Sequence, residues 1–164
     1  MTGGADSKTS SAIIEKKRNS AQPEDISLYV HFPFCSRLCG YCDFHKEILN
    51  RHREKLYFEA LKRETELAAG EYYNSLSQSG NPSALTSLYI GGGTPSLADP
   101  RLFADWIGLL KRRFEITERT EFTVELNPES SHLENLELYK EFGVNRLSIG
   151  VQSFDTTALA ALDR

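Results

Sequence analysis

The sequence has few cysteines, no long apolar run and no excess of basic residues, and each shortage excludes a class of protein. Lysine and arginine number 19 against 23 aspartates and glutamates, a net charge of −4, which gives no electrostatic reason to expect nucleic acid as a partner. No apolar run approaches the ~20 residues that span a bilayer, and no N-terminal apolar core precedes a small-residue cleavage site. A nucleotide P-loop is not supported either, because no G-x-x-x-x-G-K-[ST] pattern is present. The expected compartment is the cytosol.

What remains is an ordinary globular composition. The 164 residues are 40% hydrophobic, 26% charged and 10% aromatic, which fits one domain and excludes a wholly disordered, collagenous or coiled-coil chain. Residues 1–24 are polar and rich in serine and lysine, so we expect a mobile, disordered tail there and a folded domain over residues 25–164. The chain stops at Arg164 without a helix stop signal, so we expect it to be part of a longer protein.

The cysteines are the most informative residues. Cys35, Cys39 and Cys42 lie within eight residues, and their odd number excludes full disulfide pairing, so in a reducing cytosol the cluster indicates a metal site. Three thiolates can ligate three of the four irons of a cubane cluster and leave one iron open, whereas clusters used only for electron transfer normally have four cysteines. The alternatives are three buried cysteines or a non-catalytic zinc module, with His45 as the fourth ligand.

Strand-like and helix-like segments alternate along the rest of the chain. The predicted strands cover residues 26–32, 85–90, 121–126 and 144–151, and the predicted helices cover 50–69, 99–114, 131–142 and 155–164. A loop over residues 33–45, the cysteine loop, follows the first strand. Such alternation is typical of βαβ units and a parallel sheet, and four strands are too few to close an eight-stranded barrel.

Local signals set the predicted helix ends. Gly70 would stop the first helix and leave residues 71–84 as loop, Asp99 and Pro100 would start the second, and a capping box would start the third. That box pairs Ser131 with Glu134. The residues that give the first helix its spacing are Leu56, Ala60, Leu61, Glu64 and Leu67.

Four motifs together resemble one family. They are LYVHFPFC (residues 28–35, opening C-x3-C-x2-C), GGGTP (91–95), ELNP (125–128) and NRLSIGVQSF (145–154). They resemble the radical S-adenosylmethionine (SAM) proteins, and within them the oxygen-independent coproporphyrinogen III oxidases and the HemW haem chaperones. The resemblance implies an α/β fold, the N-terminal portion of a partial (β/α)6 radical SAM (TIM-like) barrel.

The resemblance also implies cofactors and partners. Cys35, Cys39 and Cys42 would hold a [4Fe–4S] cluster, whose open iron binds the amino and carboxylate groups of SAM. An electron from the cluster would cleave SAM to a 5′-deoxyadenosyl radical, so an electron donor protein is implied. Haem or a porphyrinogen would be the other partner. No catalytic side chain is assigned.

The SAM contacts implied by the resemblance are Tyr29, Tyr41, Gly92, Gly93, Thr94, Glu125, Gln152 and Arg164. Some of these residues have plainer interpretations. Tyr29 and Tyr41 could simply pack, Glu125 could pair with Arg146, and Gln152 could cap a loop.

Two positions test the resemblance further. A straight ten-residue helix from Asp155 would carry Arg164 ~15 Å along its axis, so its implied role requires a short helix across the mouth of the barrel. Phe44 stands where the oxidases tend to have another cysteine, and this departure favours the haem-chaperone branch.

Overall fold

The computed structural model describes residues 12–16, 26–79 and 84–163. In chain order its elements are β1 (Ala12–Lys16), β2 (Ile26–Phe32), β3 (Phe34–Cys35), β4 (Glu47–Ile48), α1 (Arg51–Ser79), β5 (Leu85–Gly92), α2 (Pro100–Arg113), β6 (Glu121–Leu126), α3 (Leu133–Glu141), β7 (Arg146–Ile149) and α4 (Thr156–Ala161). Short 3-10 helices at Pro95–Leu97 and Pro128–Ser130 follow β5 and β6. None of the helices within these ranges is long and apolar enough to cross a membrane.

Five strands form one sheet in the order β1-β2-β5-β6-β7. The pairs β2–β5, β5–β6 and β6–β7 are parallel, and the connections between these strands carry α1, α2 and α3. The predicted α/β fold with parallel strands and helical crossovers is therefore confirmed.

The core lies on one face of this sheet. Along β2, buried and partly buried residues alternate, because successive side chains of a strand point to opposite faces. The buried set of β2 packs in one cluster with Phe58 and Leu61 of α1 and with Trp106 and Leu110 of α2. The other face of β2 carries Ser27, Tyr29 and His31, so the side of the sheet away from these helices is polar.

The first strand falls within the predicted tail. Residues Ala12–Lys16 pair antiparallel with β2, from Ala12 opposite Val30 to Lys16 opposite Ile26. The prediction of a disordered tail therefore does not hold for these five residues, while the rest of residues 1–24 lies outside the described residues. The local composition carried no sign of this pairing, which depends on the free edge of β2.

Helix α1 differs most from its prediction. It continues through Gly70 to Ser79, where a stop and a loop were predicted, because Gly70 does not adopt the positive φ with which a glycine ends a helix. Leu56 and Leu67 of the predicted spacing are 50% and 73% exposed. The buried positions instead recur every three or four residues at Glu54, Phe58, Leu61, Thr65, Ala69 and Tyr72.

The other helices follow their signals more closely. Asp99 Oδ1 accepts hydrogen bonds from the backbone N–H groups of Arg101 (2.9 Å) and Leu102 (3.4 Å), so α2 begins as predicted, and Phe103, Trp106 and Leu110 are buried. The start of α3 is different.

The predicted capping box at Ser131 does not form. His132 is the N-cap residue and makes no side-chain cap bond, while the Ser131 hydroxyl donates to the Asn127 carbonyl (2.7 Å). Gly143 has φ +82 and ends α3 as predicted, and β7 is shorter than predicted, at Arg146–Ile149.

Candidate functional site

Parallel pairing brings the carboxyl ends of β2, β5, β6 and β7 to one edge of the sheet, where α/β proteins commonly bind ligands. The chain leaves β2 into the cysteine loop and leaves β5 through Gly92 and Gly93. It leaves β6 at Asn127 and β7 at Gly150. Four separate segments of sequence therefore meet at this edge.

The cysteine loop is closed at its base by backbone pairing. Strand β3 pairs in parallel with β4, and the N–H of Leu49 donates to the Cys35 carbonyl (2.9 Å). Cys35 is buried, Cys39 and Cys42 are partly exposed, and none of the three is disulfide-bonded. The loop thus holds three thiols on a short, fixed base.

All three cysteines line one small cavity of about 40 Å³, which we call the cysteine cavity. Thr94 also lines it, and its hydroxyl lies 3.8 Å from the Cys35 Sγ. Burial raises the pKa of the Cys35 thiol, whereas the Thr94 hydrogen bond and the charge of Lys46 lower it. Lys46 donates to the Cys42 carbonyl and brings a cation to the thiols.

The zinc alternative requires four ligands around one ion. Among the described residues, no three His, Cys, Asp or Glu side chains form a group that could hold a single metal ion. The carbonyl of His45 accepts a hydrogen bond from His31 Nε2 (2.7 Å), so its backbone is held towards β2. A cubane cluster has no such requirement, because each thiolate binds a different iron. The cysteine cavity is lined by three cysteines and by no His, Asp or Glu side chain, which matches the three protein ligands of a cluster with one open iron.

A larger cavity of about 470 Å³ adjoins the cysteine cavity, and we call it the strand-end cavity. Tyr41, Cys42, Gly93 and Asn127 line both. Six of the residues predicted for the cluster and SAM line the strand-end cavity: Tyr41, Cys42, Gly92, Gly93, Glu125 and Gln152. One continuous site therefore joins the thiols to the ends of three strands.

Glu125 is held by neutral donors. The Tyr89 hydroxyl donates to its Oε1 (2.6 Å) and the Gly92 N–H to its Oε2 (3.0 Å). Burial, and then the hydrogen bond to Glu125, raise the pKa of Tyr89, so Tyr89 remains a donor. Arg146 pairs with Glu121 instead (3.2 Å), so the alternative of a Glu125–Arg146 ion pair is wrong.

Gly92 and Gly93 allow the end of β5 to lie close to β2 and to the start of the cysteine loop. A Cβ at Gly93 would lie 2.5 Å from the Phe34 carbonyl oxygen and 3.0 Å from the Cys35 Sγ. Gly92 has φ +108, and a Cβ there would lie 2.6 Å from the His31 ring. The glycines were predicted to admit a ligand; the contacts described here are with the protein itself.

The remaining predicted residues differ in position. Gln152 lies in the left-handed region at φ +66, a strained conformation that is often found at functional sites. Thr94 lines only the cysteine cavity. Tyr29 lines neither cavity; it stacks on Tyr89 (6.0 Å between ring centroids) and so lies behind Glu125. Arg164 is outside the described residues.

Sequence reasoning missed several residues at this site, among them Tyr89, which holds Glu125. Asn127 lines both cavities, and its Nδ2 donates to the Thr94 hydroxyl (3.1 Å). Arg37 and Lys46 line the cysteine cavity. Asn127 directly follows a parallel strand, and that position could have marked it; Arg37 and Lys46 carried no comparable signal.

Comparisons with known proteins agree with this geometry. A family model described as the radical SAM superfamily matches residues 29–164. Over 139 residues the chain is 35% identical to the "Heme chaperone HemW" of Bacillus subtilis, with 84% of this chain and 35% of that protein covered. Over 139 residues it is 33% identical to the "Oxygen-independent coproporphyrinogen III oxidase" of Bradyrhizobium diazoefficiens, covering 84% of this chain and 29% of that protein. The chain thus spans about a third of the length of these relatives.

A solved structure, "Coproporphyrinogen III oxidase (HemN) from Escherichia coli is a Radical SAM enzyme", matches with a TM-score of 0.72 and 29% identity. The match covers 83% of this chain and 30% of that one. The predicted resemblance and the barrel class are both confirmed.

Proposed function

The chain belongs to the radical SAM superfamily, and from this premise we propose that Cys35, Cys39 and Cys42 hold a [4Fe–4S] cluster and that the strand-end cavity binds SAM. When bound, such a cluster supplies the electron for reductive cleavage of SAM. One observation carries the proposal: the cavity lined by all three cysteines adjoins the about 470 Å³ cavity at the strand ends.

The residues of the strand-end cavity have complementary roles in this proposal. Glu125 offers carboxylate oxygens whose orientation Tyr89 and Gly92 fix, so a hydroxyl or ammonium group of SAM can donate to it. Gln152 offers an amide that can bond to the ribose. Gly92 and Gly93 approach the methionine end, as does Thr94 from the adjoining cysteine cavity, and Tyr41 approaches the adenine.

Two further residues complete the proposed SAM contacts. Tyr29 supports Glu125 through its stacking on Tyr89. Arg164 binds the SAM carboxylate. The observed α4, Thr156–Ala161, has six residues, and this supports the role because a straight ten-residue helix would carry the chain further from Asp155.

Within the superfamily, we place the protein nearest the haem chaperones. Phe44 lines the strand-end cavity and is 62% exposed; it can pack there, but it cannot ligate a metal or carry a proton. The HemW relatives support this branch, whereas the Bradyrhizobium relative and the Escherichia coli structure keep coproporphyrinogen oxidation as the second candidate. Haem or a porphyrinogen, an electron donor protein and a cytosolic location complete the proposal.

Anaerobic reconstitution with iron and sulfide tests the cofactors. We expect a brown protein with about four irons per chain and SAM binding by equilibrium dialysis. Glu125→Gln should keep the iron and weaken SAM binding, whereas the control Glu121→Gln, on the same strand but paired with Arg146, should change neither. A colourless protein that retains zinc would establish the zinc module instead.

The branch is decided by an anaerobic assay with coproporphyrinogen III, SAM and a reductant. The chaperone proposal expects a shifted haem absorption band on titration and no conversion of the porphyrinogen. Multiple turnovers to protoporphyrinogen IX would establish the oxidase.

A further inference from the structure

One guanidinium joins two distant parts of the chain beside the thiols. Arg37 stands between Cys35 and Cys39 and lines the cysteine cavity. Its Nη1 donates to the carbonyl oxygen of Asp163 (2.7 Å), and its Nη2 donates to the carboxylate of Glu129. These partners lie 126 and 92 residues further along the chain.

The end of α4 is shaped to make this contact. After Ala161 the chain tightens, and Asp163 adopts the left-handed conformation at φ +55, which turns the backbone out of the helix. Its carbonyl then meets Arg37. No α4 side chain is buried, so burial of apolar groups contributes little to holding this helix, and the Arg37 contact becomes an important tie.

We propose that Arg37 is a positioning residue that couples the cysteine loop to α4, so that ordering either segment orders the other. The inference rests on the proposed function: a cluster bound by Cys35 and Cys39 fixes the loop between them, and Arg37 carries that order to Asp163. Arg164 follows directly, so the same clamp links cluster loading to SAM affinity. Such coupling is reciprocal.

The chemistry of arginine suits this task. Its planar fork presents several N–H donors in fixed directions, so one side chain can serve a carboxylate and a carbonyl at once. A lysine ammonium has no such fork. Arg37→Lys should therefore recover only part of the effect that Arg37→Gln removes.

Hydrogen–deuterium exchange of the backbone amides tests the clamp. In the wild-type protein, residues 156–163 should exchange more slowly when the cluster is loaded than when it is absent. In Arg37→Gln they should exchange faster in both forms and respond little to the cluster. SAM should bind about fivefold more weakly to loaded Arg37→Gln, at the low end of typical couplings because the clamp is partly exposed.

Two variants complete the experiment. Glu129→Gln removes only one partner of the guanidinium and should give a smaller change in the same direction. Arg101→Gln removes the same charge from an exposed position on α2 and should change nothing. The side chains of Arg37 and Glu129 are 42% and 53% exposed, so both clamp variants should fold, which circular dichroism verifies.

The outcomes separate this inference from the proposed function. Wild-type exchange over residues 156–163 in cluster-free Arg37→Gln would overturn the clamp whether or not a cluster binds. A wild-type protein that takes up no iron would refute the proposed function, and exchange in cluster-free Arg37→Gln and Glu129→Gln would still decide the clamp. Unchanged SAM affinity in loaded Arg37→Gln would overturn the coupling.

Discussion

An alanine at position 93 should damage the protein far more than its single added methyl group suggests. The new Cβ would lie 2.5 Å from the Phe34 carbonyl oxygen, 2.9 Å from its carbon and 3.0 Å from the Cys35 Sγ. The backbone cannot move away cheaply, because the same Phe34 carbonyl accepts the Thr94 N–H (2.8 Å) and the Gly93 N–H bonds to Phe32 (2.7 Å). The methyl group must therefore push the base of the cysteine loop away from β5.

The cost follows from these contacts. Overpacking of a tight site costs about 1–3 kcal/mol, and weakening one backbone hydrogen bond adds about 0.5–1.5 kcal/mol. Gly93→Ala should therefore lower the free energy of unfolding by about 2–4 kcal/mol, which corresponds to a fall in Tm of roughly 5–15 °C for a chain of this size. Iron uptake should fall as well, because Cys35 is displaced.

Thermal unfolding followed by circular dichroism, with iron analysis after reconstitution, measures both effects. Two glycines with nothing within 4 Å of an added Cβ serve as controls. Gly70→Ala, in the interior of α1, should raise stability by about 0.5–1 kcal/mol, and Gly40→Ala, in the cysteine loop, should have little effect. If Gly93→Ala has the same Tm and iron content as the wild type, the close approach of Gly93 is not what holds the cysteine loop in place.

Three further changes test other parts of the structure. Thr65→Val should cost about 1–3 kcal/mol in urea denaturation, because it leaves the buried Trp106 Nε1–H without its acceptor at 3.0 Å; Thr65→Ser should recover most of the loss. Burial raises the pKa of Tyr139 from 10.0 to about 12, so the folded protein holds this proton more tightly and loses stability as the pH rises from about 10 to 12. Tyr139→Phe should remove about 1 kcal/mol of that loss at pH 11, and an identical pH dependence would contradict the assignment. Cys39→Ser should abolish cluster assembly, and a variant that regains the wild-type iron content and visible spectrum would show that Cys39 is not a ligand.

Local sequence signals predicted the end of a helix correctly where a single residue determines that end. Asp99 and Pro100 mark the start of α2 because a cap and a fixed φ act within one turn. Gly143 marks the end of α3 for a similar reason. In these places the sequence pattern and the structure agree to within a residue.

Helix α1 shows why the same reasoning fails elsewhere. The pattern favours Leu56 as a core residue, yet Glu54 is fully buried and Leu56 is half exposed. Glu54 can be buried because it accepts the Asp99 N–H (2.7 Å) and pairs with Arg51 (2.8 Å), and neither contact can be inferred from the local pattern. Tertiary partners decided which face of this helix turned inward.

The candidate site divides in the same way. Gly92, Glu125 and Gln152 could be predicted to converge, because parallel strands bring their carboxyl ends to one edge. Tyr89 and Arg37 could not, since the first acts through a hydrogen bond across the sheet and the second through a contact 126 residues away.

The antiparallel strand β1 covers the edge of the sheet that β2 would otherwise form. By pairing with β2 over five residues, it uses the hydrogen-bonding groups along the edge at which a closed barrel would join its last strand to its first. At the opposite edge, Leu147 and Ile149 of β7 are 41% and 48% exposed. Among the described residues, a strand that paired directly with β2 would have to displace β1, whereas the edge of β7, with its half-exposed apolar side chains, can take a strand without any rearrangement.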